Sequence, residues 1–184
     1  MIRIWKAILK YTLVLAVFCG AAGLLLPAVH DLVEPRKVIQ QKKTEENTLR
    51  LLLPSAESFN VREGAANYAG YYEAFTADKN LAGYVLKVNA RGYSSEVEML
   101  VGLDRDYTLT GVRVLAQAET PSLGSRVTEP DFLAQFAGQQ TDNLALRKKG
   151  GTVDGITGAT ITSEAVVKGI SAAIAEFQNN RREE

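Results

Sequence analysis

Residues 154–162 read DGITGATIT, and this stretch decides how the chain is interpreted, because a loop of small residues leads directly into the last predicted helix. Gly155, Gly158 and Ala159 let a bulky or charged group approach the backbone closely. We predict that Thr162 is the N-cap of the helix, with free backbone N–H groups just beyond it. Such a helix end favours an anion, and a phosphate in particular. The alternative is a common glycine turn followed by an ordinary threonine cap.

The sequence around this stretch predicts an α+β domain. Ser163 to Phe177 carries apolar residues at helical spacing, and Gln178 to Glu184 is polar and predicted to fray. A shorter helix is predicted from Glu129 to Phe136, because Thr128 and Pro130 are typical of a helix start. Upstream, four segments rich in Val, Leu and Tyr are separated by turn residues, which predicts an antiparallel sheet. These segments are Gly70 to Phe75, Gly83 to Asn89, Glu96 to Leu103, and Leu109 to Leu115.

The N-terminal segment is predicted to cross a membrane. Tyr11 to Val29 contains no charged residue and is long enough to pass through a bilayer core as a helix. Arg3, Lys6 and Lys10 precede it, and basic residues next to a span favour the cytoplasmic side. A cleaved signal peptide is the alternative, but apolar sequence continues beyond the small residues at 20–22. We therefore expect an uncleaved anchor.

A stalk is predicted between the anchor and the domain. Pro35 fits the first position of a helix, and Arg36 to Leu53 continues that helix with a polar first half. The predicted parts of the chain are therefore a cytoplasmic N-terminus (1–10), a transmembrane anchor (11–30), a stalk helix (31–53), an extracytoplasmic domain (54–178) and a polar tail (179–184).

The composition excludes several kinds of chemistry. Lys plus Arg and Asp plus Glu each total 21, so no net positive charge favours nucleic-acid binding. The single cysteine, Cys19, and the single histidine, His30, are too few for a disulfide, a four-thiolate iron–sulfur cluster or a structural zinc site. We therefore expect no metal site. Any demanding chemistry must come from an organic cofactor, from carboxylates or from hydroxyls.

Residues 154–162 also match the pattern Asp-x-x-[Ser/Thr]-Gly-Ala-[Ser/Thr]-x-[Ser/Thr], which resembles the flavinylation motif of the FMN-binding domain family. In that family a flavin transferase moves flavin mononucleotide (FMN) from FAD onto the final hydroxyl of the motif. The resemblance therefore implies covalent FMN at Thr162, and it implies that Asp154 is recognised by the metal-dependent transferase. The other motif residues implied to bind the cofactor are Thr157, Gly158, Ala159 and Thr160.

A second stretch, ETPSLG at residues 119–124, resembles the Glu-Thr-Pro-Gly-Leu-Gly loop that lies against the flavin in the same family. Leu123 offers an apolar surface to the isoalloxazine ring, and Thr120 offers a hydrogen-bond donor. Ser122 stands where the family has Gly, a difference that matters if this position requires a positive φ. The residues of this loop implied to bind the cofactor are Glu119, Thr120, Leu123 and Gly124.

The order of the parts resembles the G subunit of Rnf complexes, which couple electron flow between ferredoxin and NAD to ion movement. The resemblance implies a single-pass electron-transfer protein of the cytoplasmic (inner) membrane, with its FMN domain on the periplasmic or extracellular side. The other proteins of the Rnf complex, and a flavin transferase during maturation, would be its partners. The redox chemistry would belong to FMN, so we expect no catalytic side chain and no turnover by the isolated chain.

Two alternatives stay open. The C subunit of a sodium-translocating NADH:quinone reductase shares the motif and the anchor, but is usually longer. A non-redox, membrane-anchored binding or assembly protein would use Thr162 only as a helix cap. The hydroxyl of Thr162 separates these classes, because only a redox role requires it to carry a flavin.

Overall fold

The computed structural model describes residues 2–183, with side chains described except at 2–4, 6–7, 9, 22, 24–41, 142 and 183. The chain forms two compact units, Met1–Thr44 and Glu45–Glu184. Helix α1 (Ile2–Leu52) begins in the first unit and ends in the second. The second unit holds all of the remaining helices and strands of the described chain.

Helix α1 runs without interruption from Ile2 to Leu52, so the prediction of a separate stalk helix that begins at Pro35 is wrong. A proline inside a helix costs about 3 kcal/mol, but good helix formers on both sides favour its propagation. The described side chains from 10 through 23 are all exposed. Within the described residues, no helix meets the length and hydropathy needed to cross a membrane. The side chains at 24–30 of the predicted anchor lie outside the described residues.

The second unit is built on a five-stranded antiparallel sheet in which each strand pairs with the next along the chain. The four predicted strands are confirmed as β2 to β5, each slightly longer than predicted. The first strand was not predicted, because almost all of its side chains are exposed and it pairs with β2 alone. The strands are β1 (Ser58–Ala65), β2 (Tyr68–Phe75), β3 (Leu81–Arg91), β4 (Glu96–Asp104) and β5 (Leu109–Ala116).

Two helices follow the sheet. Helix α2 (Pro130–Leu133) has Pro at its first position, as predicted, but only four residues are α-helical before a 3₁₀ turn takes over at Ala134–Phe136. Helix α3 (Thr160–Glu183) is longer than predicted at both ends.

The tail after 177, which was predicted to fray, continues α3 as far as Glu183, and two of its polar side chains contact the sheet, whereas Glu184 lies outside the described residues. The Arg181 guanidinium lies 5.3 Å from the centre of the Tyr84 ring and donates a hydrogen bond to its hydroxyl at 3.2 Å. Asn180 donates to the Tyr68 hydroxyl at 3.2 Å.

The sheet has a helix on each face. Helix α3 lies on one face so closely that a Cβ at Gly169 would lie 2.8 Å from the Cβ of Ala90 on β3. The last turns of α1, with Leu49 and Leu52, pack on the other face against Val85 and Leu100. The packing of α3 places its first turn beside the loops that follow β3 and β5. The largest fully buried side chains of the α3 layer are Leu86, Met99, Leu103, Leu109, Phe136, Ile170, Ile174 and Phe177.

Candidate cofactor-attachment site

Three segments meet where α3 begins: the turn between β3 and β4, the loop after β5, and the first turn of α3. A hydrogen bond joins the last two segments. The hydroxyl of Thr162 donates to Glu119 Oε2 at 2.7 Å, although the two residues are 43 positions apart in the sequence. The structure therefore brings the two sequence motifs into direct contact through Glu119 of one and Thr162 of the other.

Glu119 is held from both sides. Its Oε1 accepts hydrogen bonds from the backbone N–H groups of Ser94 at 2.9 Å and Ser95 at 2.8 Å, and from the Ser95 hydroxyl at 3.3 Å. The residue is only 5% exposed. Burial alone would raise the pKa of this carboxyl, but hydrogen bonds from Thr162 and from the backbone of residues 93–95 outweigh burial and lower the pKa. Glu119 is therefore an ionised, buried carboxylate at neutral pH.

Two glycines leave the space that this carboxylate occupies. A Cβ on Gly92 would lie 2.6 Å from Glu119 Oε1, and a Cβ on Gly124 would lie 2.5 Å from Oε2. The same Cβ on Gly124 would lie 3.2 Å from Thr162 Oγ1. Gly124 was predicted to bind the cofactor, and the structure places it against the Glu119 carboxylate and the Thr162 hydroxyl. Gly92 was not predicted, because its role depends on a contact 27 residues away in sequence.

The prediction that Thr162 is the N-cap of the last helix is wrong, because α3 begins at Thr160 and Thr162 lies within its first turn. Ser163 secures the helix start instead. Its hydroxyl donates to the Ala159 carbonyl at 2.9 Å and accepts from the Ile156 N–H at 3.0 Å. Thr162 itself is 1% exposed. Its hydroxyl is thus committed to Glu119 rather than to the helix backbone.

The loop at residues 119–124 has a left-handed backbone conformation at Ser122, the position where the family pattern has glycine. Ser122 has φ +62°, so this position does require the left-handed conformation that glycine adopts without strain. The Ser122 N–H donates to the Ser125 hydroxyl at 3.0 Å, and the N–H groups of Leu123 and Ser125 donate to the Thr120 carbonyl at 3.2 Å each. The turn is thus closed by its own hydrogen bonds, with serine in place of glycine.

The loop contacts the flavinylation motif at a second point. A Cβ on Gly158, which has φ +83°, would lie 3.0 Å from the Cδ2 of Leu123. Thr120 Oγ1 lies 3.4 Å from the hydroxyl of Ser94 on the neighbouring turn. The remaining residues that were predicted to bind the cofactor differ in exposure. Ala159 is buried, whereas Thr157, Gly158 and Thr160 are exposed.

Exposed apolar side chains surround the contact between Glu119 and Thr162. Leu123 was predicted to bind the cofactor and is 43% exposed, whereas Tyr93 at 70% and Ile161 at 58% were not among the predicted binding residues. Each lies on one of the three segments that meet here. Their signal in the sequence was weak, since Tyr93 resembles the tyrosines that pack the core and Ile161 occupies an unrestricted position of the motif.

Asp154 stands apart from this cluster on the surface. Its carboxylate accepts two hydrogen bonds from Arg147, Nε to Oδ1 at 2.7 Å and Nη2 to Oδ2 at 3.1 Å. This pairing lowers the pKa of the Asp154 carboxyl. Gln135 holds the backbone of the same residue, accepting from its N–H at 2.7 Å and donating to its carbonyl at 3.3 Å. Arg147 and Gln135 therefore fix the position of Asp154, and neither was predicted.

Comparison with known proteins identifies a domain family in the part of the chain that contains the site. Residues 92–175 match the FMN-binding domain family. The matched region begins at Gly92, beside Glu119, and includes both motifs.

Each of the following three relatives matches more than nine tenths of the chain. The G subunit of the ion-translocating oxidoreductase complex of Methanosarcina acetivorans is 31% identical, over 92% of this chain and 94% of the relative. The G subunit of the proton-translocating ferredoxin:NAD(+) oxidoreductase complex of Clostridium ljungdahlii is also 31% identical, over 92% and 91%. The chain belongs to this family of G subunits. The resemblance inferred from the two motifs and the order of parts is therefore confirmed. The G subunit of Aliivibrio fischeri, 31% identical over 95% of this chain and 92% of the relative, shows the same extent of match.

Among solved structures, NqrC of Shewanella oneidensis aligns with a TM-score of 0.45 and 23% identity, over 67% of this chain and 65% of that chain. The C subunit of the Na(+)-translocating NADH-quinone reductase of Parabacteroides distasonis aligns with a TM-score of 0.49 and 26% identity, over 58% and 60%. This member of the G-subunit family therefore spans less than two thirds of either structure.

Proposed function

We propose that this chain is the electron-transfer subunit of an Rnf-type ion-translocating ferredoxin:NAD oxidoreductase complex, and that it works through FMN attached covalently to Thr162. The observation that carries the proposal is the match of its relatives, which are named as G subunits of such complexes and align over 92% or more of the chain. The geometry at Thr162 supports the same proposal, because both family motifs converge on its hydroxyl.

The groups around Thr162 fit both the phosphate and the ring of a flavin. The first-turn N–H groups of α3 lie next to Thr162, and such groups favour a phosphate because they have no helical partner. The exposed side chains of Tyr93, Leu123 and Ile161 provide an apolar surface at the same place. When bound, FMN supplies the capacity to accept and donate one or two electrons. The protein's part is to hold the flavin, to shield its attachment point and to set its electrostatic surroundings.

Asp154 is proposed as the point at which the flavin transferase recognises the chain. Its carboxylate is exposed and held in one orientation by Arg147, while Gln135 fixes its backbone. A rigid, exposed carboxylate eight residues before the acceptor suits recognition by another protein better than contact with the flavin. The other proposed partners are the remaining proteins of the complex.

The N-terminal part of α1 is proposed to anchor the chain in the cytoplasmic membrane at residues 11–30. The stretch from Tyr11 to Val29 has no charge, and its described apolar side chains are exposed, which suits contact with lipid. We place residues 1–10 in the cytoplasm and the FMN domain, from 54 onward, on the opposite side. A covalent bond would keep the cofactor with the protein there, because free FMN is not expected to be replaced outside the cell.

The test is to coexpress the full chain with an active flavin transferase and to measure intact mass and in-gel flavin fluorescence. The wild type should gain the mass of FMN less one water, and Thr162→Val should gain nothing. Thr76→Val, the same change in the turn between β2 and β3, is the matched control and should be modified like the wild type. An unmodified wild-type chain, beside a control acceptor that is modified, would refute the proposal.

One observation favours a second candidate, a non-redox binding or assembly protein. Thr162 is 1% exposed and its hydroxyl is already hydrogen-bonded, which is also what a purely structural threonine would show. Under this alternative, Thr162→Val removes one buried hydrogen bond, destabilises the fold by about 1–3 kcal/mol, and leaves the activity of the complex intact. Under the proposed function, the same change abolishes the flavin and the electron transfer of the complex.

A further inference from the structure

The hydroxyl of Thr162 has a ready acceptor for its proton within the same chain. It donates to Glu119 Oε2 at 2.7 Å, and both residues are buried. A hydroxyl that attacks phosphorus must lose this proton during the reaction. A carboxylate at hydrogen-bond distance from the attacking oxygen has the geometry that general-base catalysis requires.

The carboxylate is held by parts of the fold that do not depend on Thr162. Ser94 and Ser95, in the turn between β3 and β4, bind Oε1, so the second oxygen stays directed at the hydroxyl. Gly92 and Gly124 have no side chains that would occupy this space. A carboxylate with this many donors, in a space that two glycines leave open, is a prearranged partner for the hydroxyl rather than an incidental neighbour.

We propose that Glu119 is the base that takes the proton of Thr162 when FMN is attached, an inference that rests on the proposed function. Thr162 Oγ1 attacks the FMN phosphorus of FAD, with the flavin transferase and its divalent metal ion holding the FAD. The bond between Oγ1 and phosphorus forms, the bond from that phosphorus to the bridging oxygen breaks, and AMP leaves with the bonding electron pair. The proton passes from Oγ1 to Glu119 Oε2 and then to solvent. The acceptor protein therefore contributes a catalytic residue to its own modification.

The electrostatics of Glu119 fit this role. Its hydrogen bonds keep the carboxyl ionised at neutral pH, so an acceptor for the proton is always present. Such a carboxylate is a weak base, but the hydroxyl becomes strongly acidic as its bond to phosphorus forms, so the proton can pass to Glu119 in the transition state. Gly124, at the end of the loop at residues 119–124, lies beside the hydroxyl, and we expect this loop to move to admit the phosphorus. Glu119 stays in place because the turn between β3 and β4 holds it.

The test is a single-turnover flavin transfer assay with the full chain in detergent, purified flavin transferase, FAD and Mg²⁺. The wild type is compared with Glu119→Gln, Glu119→Asp and the control Glu129→Gln, which changes an exposed glutamate ten residues along the chain. We expect Glu119→Gln to slow transfer by about 100-fold or more, the usual size of a general-base contribution. Glu119→Asp should recover at least about tenfold of that loss, and Glu129→Gln should react at the wild-type rate.

The pH dependence separates a base from a structural residue. With the base removed, hydroxide has to take the proton, so the ratio of the Glu119→Gln rate to the wild-type rate should rise about tenfold per pH unit. Because the ratio is taken at each pH, the pH dependence of the transferase cancels. Folding of each variant is checked by thermal unfolding. If Glu119→Gln does not fold, Glu119→Ala assayed with and without added formate carries the test, and a Glu119→Ala rate equal to the wild-type rate without formate would refute the inference.

The outcomes distinguish this inference from the function on which it rests. A Glu119→Gln chain that carries FMN on Thr162 at the wild-type rate would overturn the inference and leave the proposed function standing. A slower reaction whose ratio to the wild type is constant with pH would make Glu119 structural and would also overturn it. A wild-type chain that takes up no FMN would overturn both.

Discussion

Gly124→Ala is the substitution that tests the arrangement at Thr162 most directly. The added Cβ would lie 2.5 Å from Glu119 Oε2, 2.8 Å from Glu119 Cβ and 3.2 Å from Thr162 Oγ1. Ordinary contacts begin at 3.4 Å, so the carboxylate has to withdraw by about 0.9 Å, roughly the difference between a good hydrogen bond and none.

The free-energy cost of Gly124→Ala has two parts. Overfilling a packed site costs about 1–3 kcal/mol. A hydrogen bond to a charged group contributes about 1.5–3 kcal/mol, and part of this is lost when Oε2 moves away from Thr162. Helix propensity does not offset the loss, because Gly124 lies in a short 3₁₀ turn rather than in a long helix. We therefore expect a destabilisation of about 2–4 kcal/mol.

The assay is chemical unfolding of the full chain, followed by near-ultraviolet circular dichroism. Six of the seven tyrosines, all except Tyr11, lie in the second unit and report its unfolding, whereas the single tryptophan, Trp5, lies in the first. The control is Gly155→Ala, the same substitution in the other motif, whose Cβ would make ordinary contacts at 3.5 Å or more with Leu146. A Gly124→Ala chain within about 0.5 kcal/mol of the control would show that the carboxylate has room to move, and would refute the steric argument.

Two further predictions concern the same loop. Ser122→Gly should stabilise the fold by about 0.5–1 kcal/mol. Serine at φ +62° is strained by about 1–2 kcal/mol, and the greater backbone entropy of glycine in the unfolded chain offsets part of the strain that is relieved. The same unfolding assay checks this prediction, and Ser122→Ala should give no such gain. The second prediction concerns pH. Folding lowers the pKa of the Glu119 carboxyl below its ordinary 4.5, so the ionised carboxylate stabilises the folded chain. This stabilisation is complete above pH 4.5 and is lost as the pH falls through the pKa of the folded state. Unfolding measured across this acid range should therefore show a steeper loss of stability in the wild type than in Glu119→Gln, and equal slopes would show that Glu119 does not contribute.

Much of the sheet follows from the sequence, because the segments that form β2 to β5 are rich in Val, Leu and Tyr and are separated by turn residues. In β4, for example, the period of two around Val97 and Met99 reflects side chains that are fully buried. Strand β1 carries no such signal, since burial on an edge strand is slight and its pairing depends on β2. The far end of α3 was missed for a related reason. Arg181 and Asn180 are ordinary surface residues by type, and only the fold brings tyrosines within their reach.

The site divides in the same way. The two motifs and the importance of Thr162 and Glu119 come from the sequence by family resemblance. The hydrogen bond between them does not, because it spans 43 residues and depends on how α3 docks on the sheet. The N-cap assignment of Thr162 failed because threonine is a common cap by type, whereas the structure gives the backbone contacts at the helix start to Ser163. The residue preferences of helix caps therefore located the start of α3 but identified the wrong residue there.

The contact between Glu119 and Thr162 contributes both to the stability of the fold and to the proposed flavin attachment, so a variant at this contact can change both. The hydroxyl proposed to accept FMN is also a buried hydrogen-bond donor, and its acceptor is a buried carboxylate that links the two motifs. A change that displaces the carboxylate, such as Gly124→Ala, should therefore lower both the stability and the rate of flavin attachment. Glu119→Gln leaves the packing in place and removes the base, so its loss of rate should exceed what its loss of stability explains. The comparison of these two variants in both assays therefore separates the packing of the site from its chemistry, which neither assay does alone.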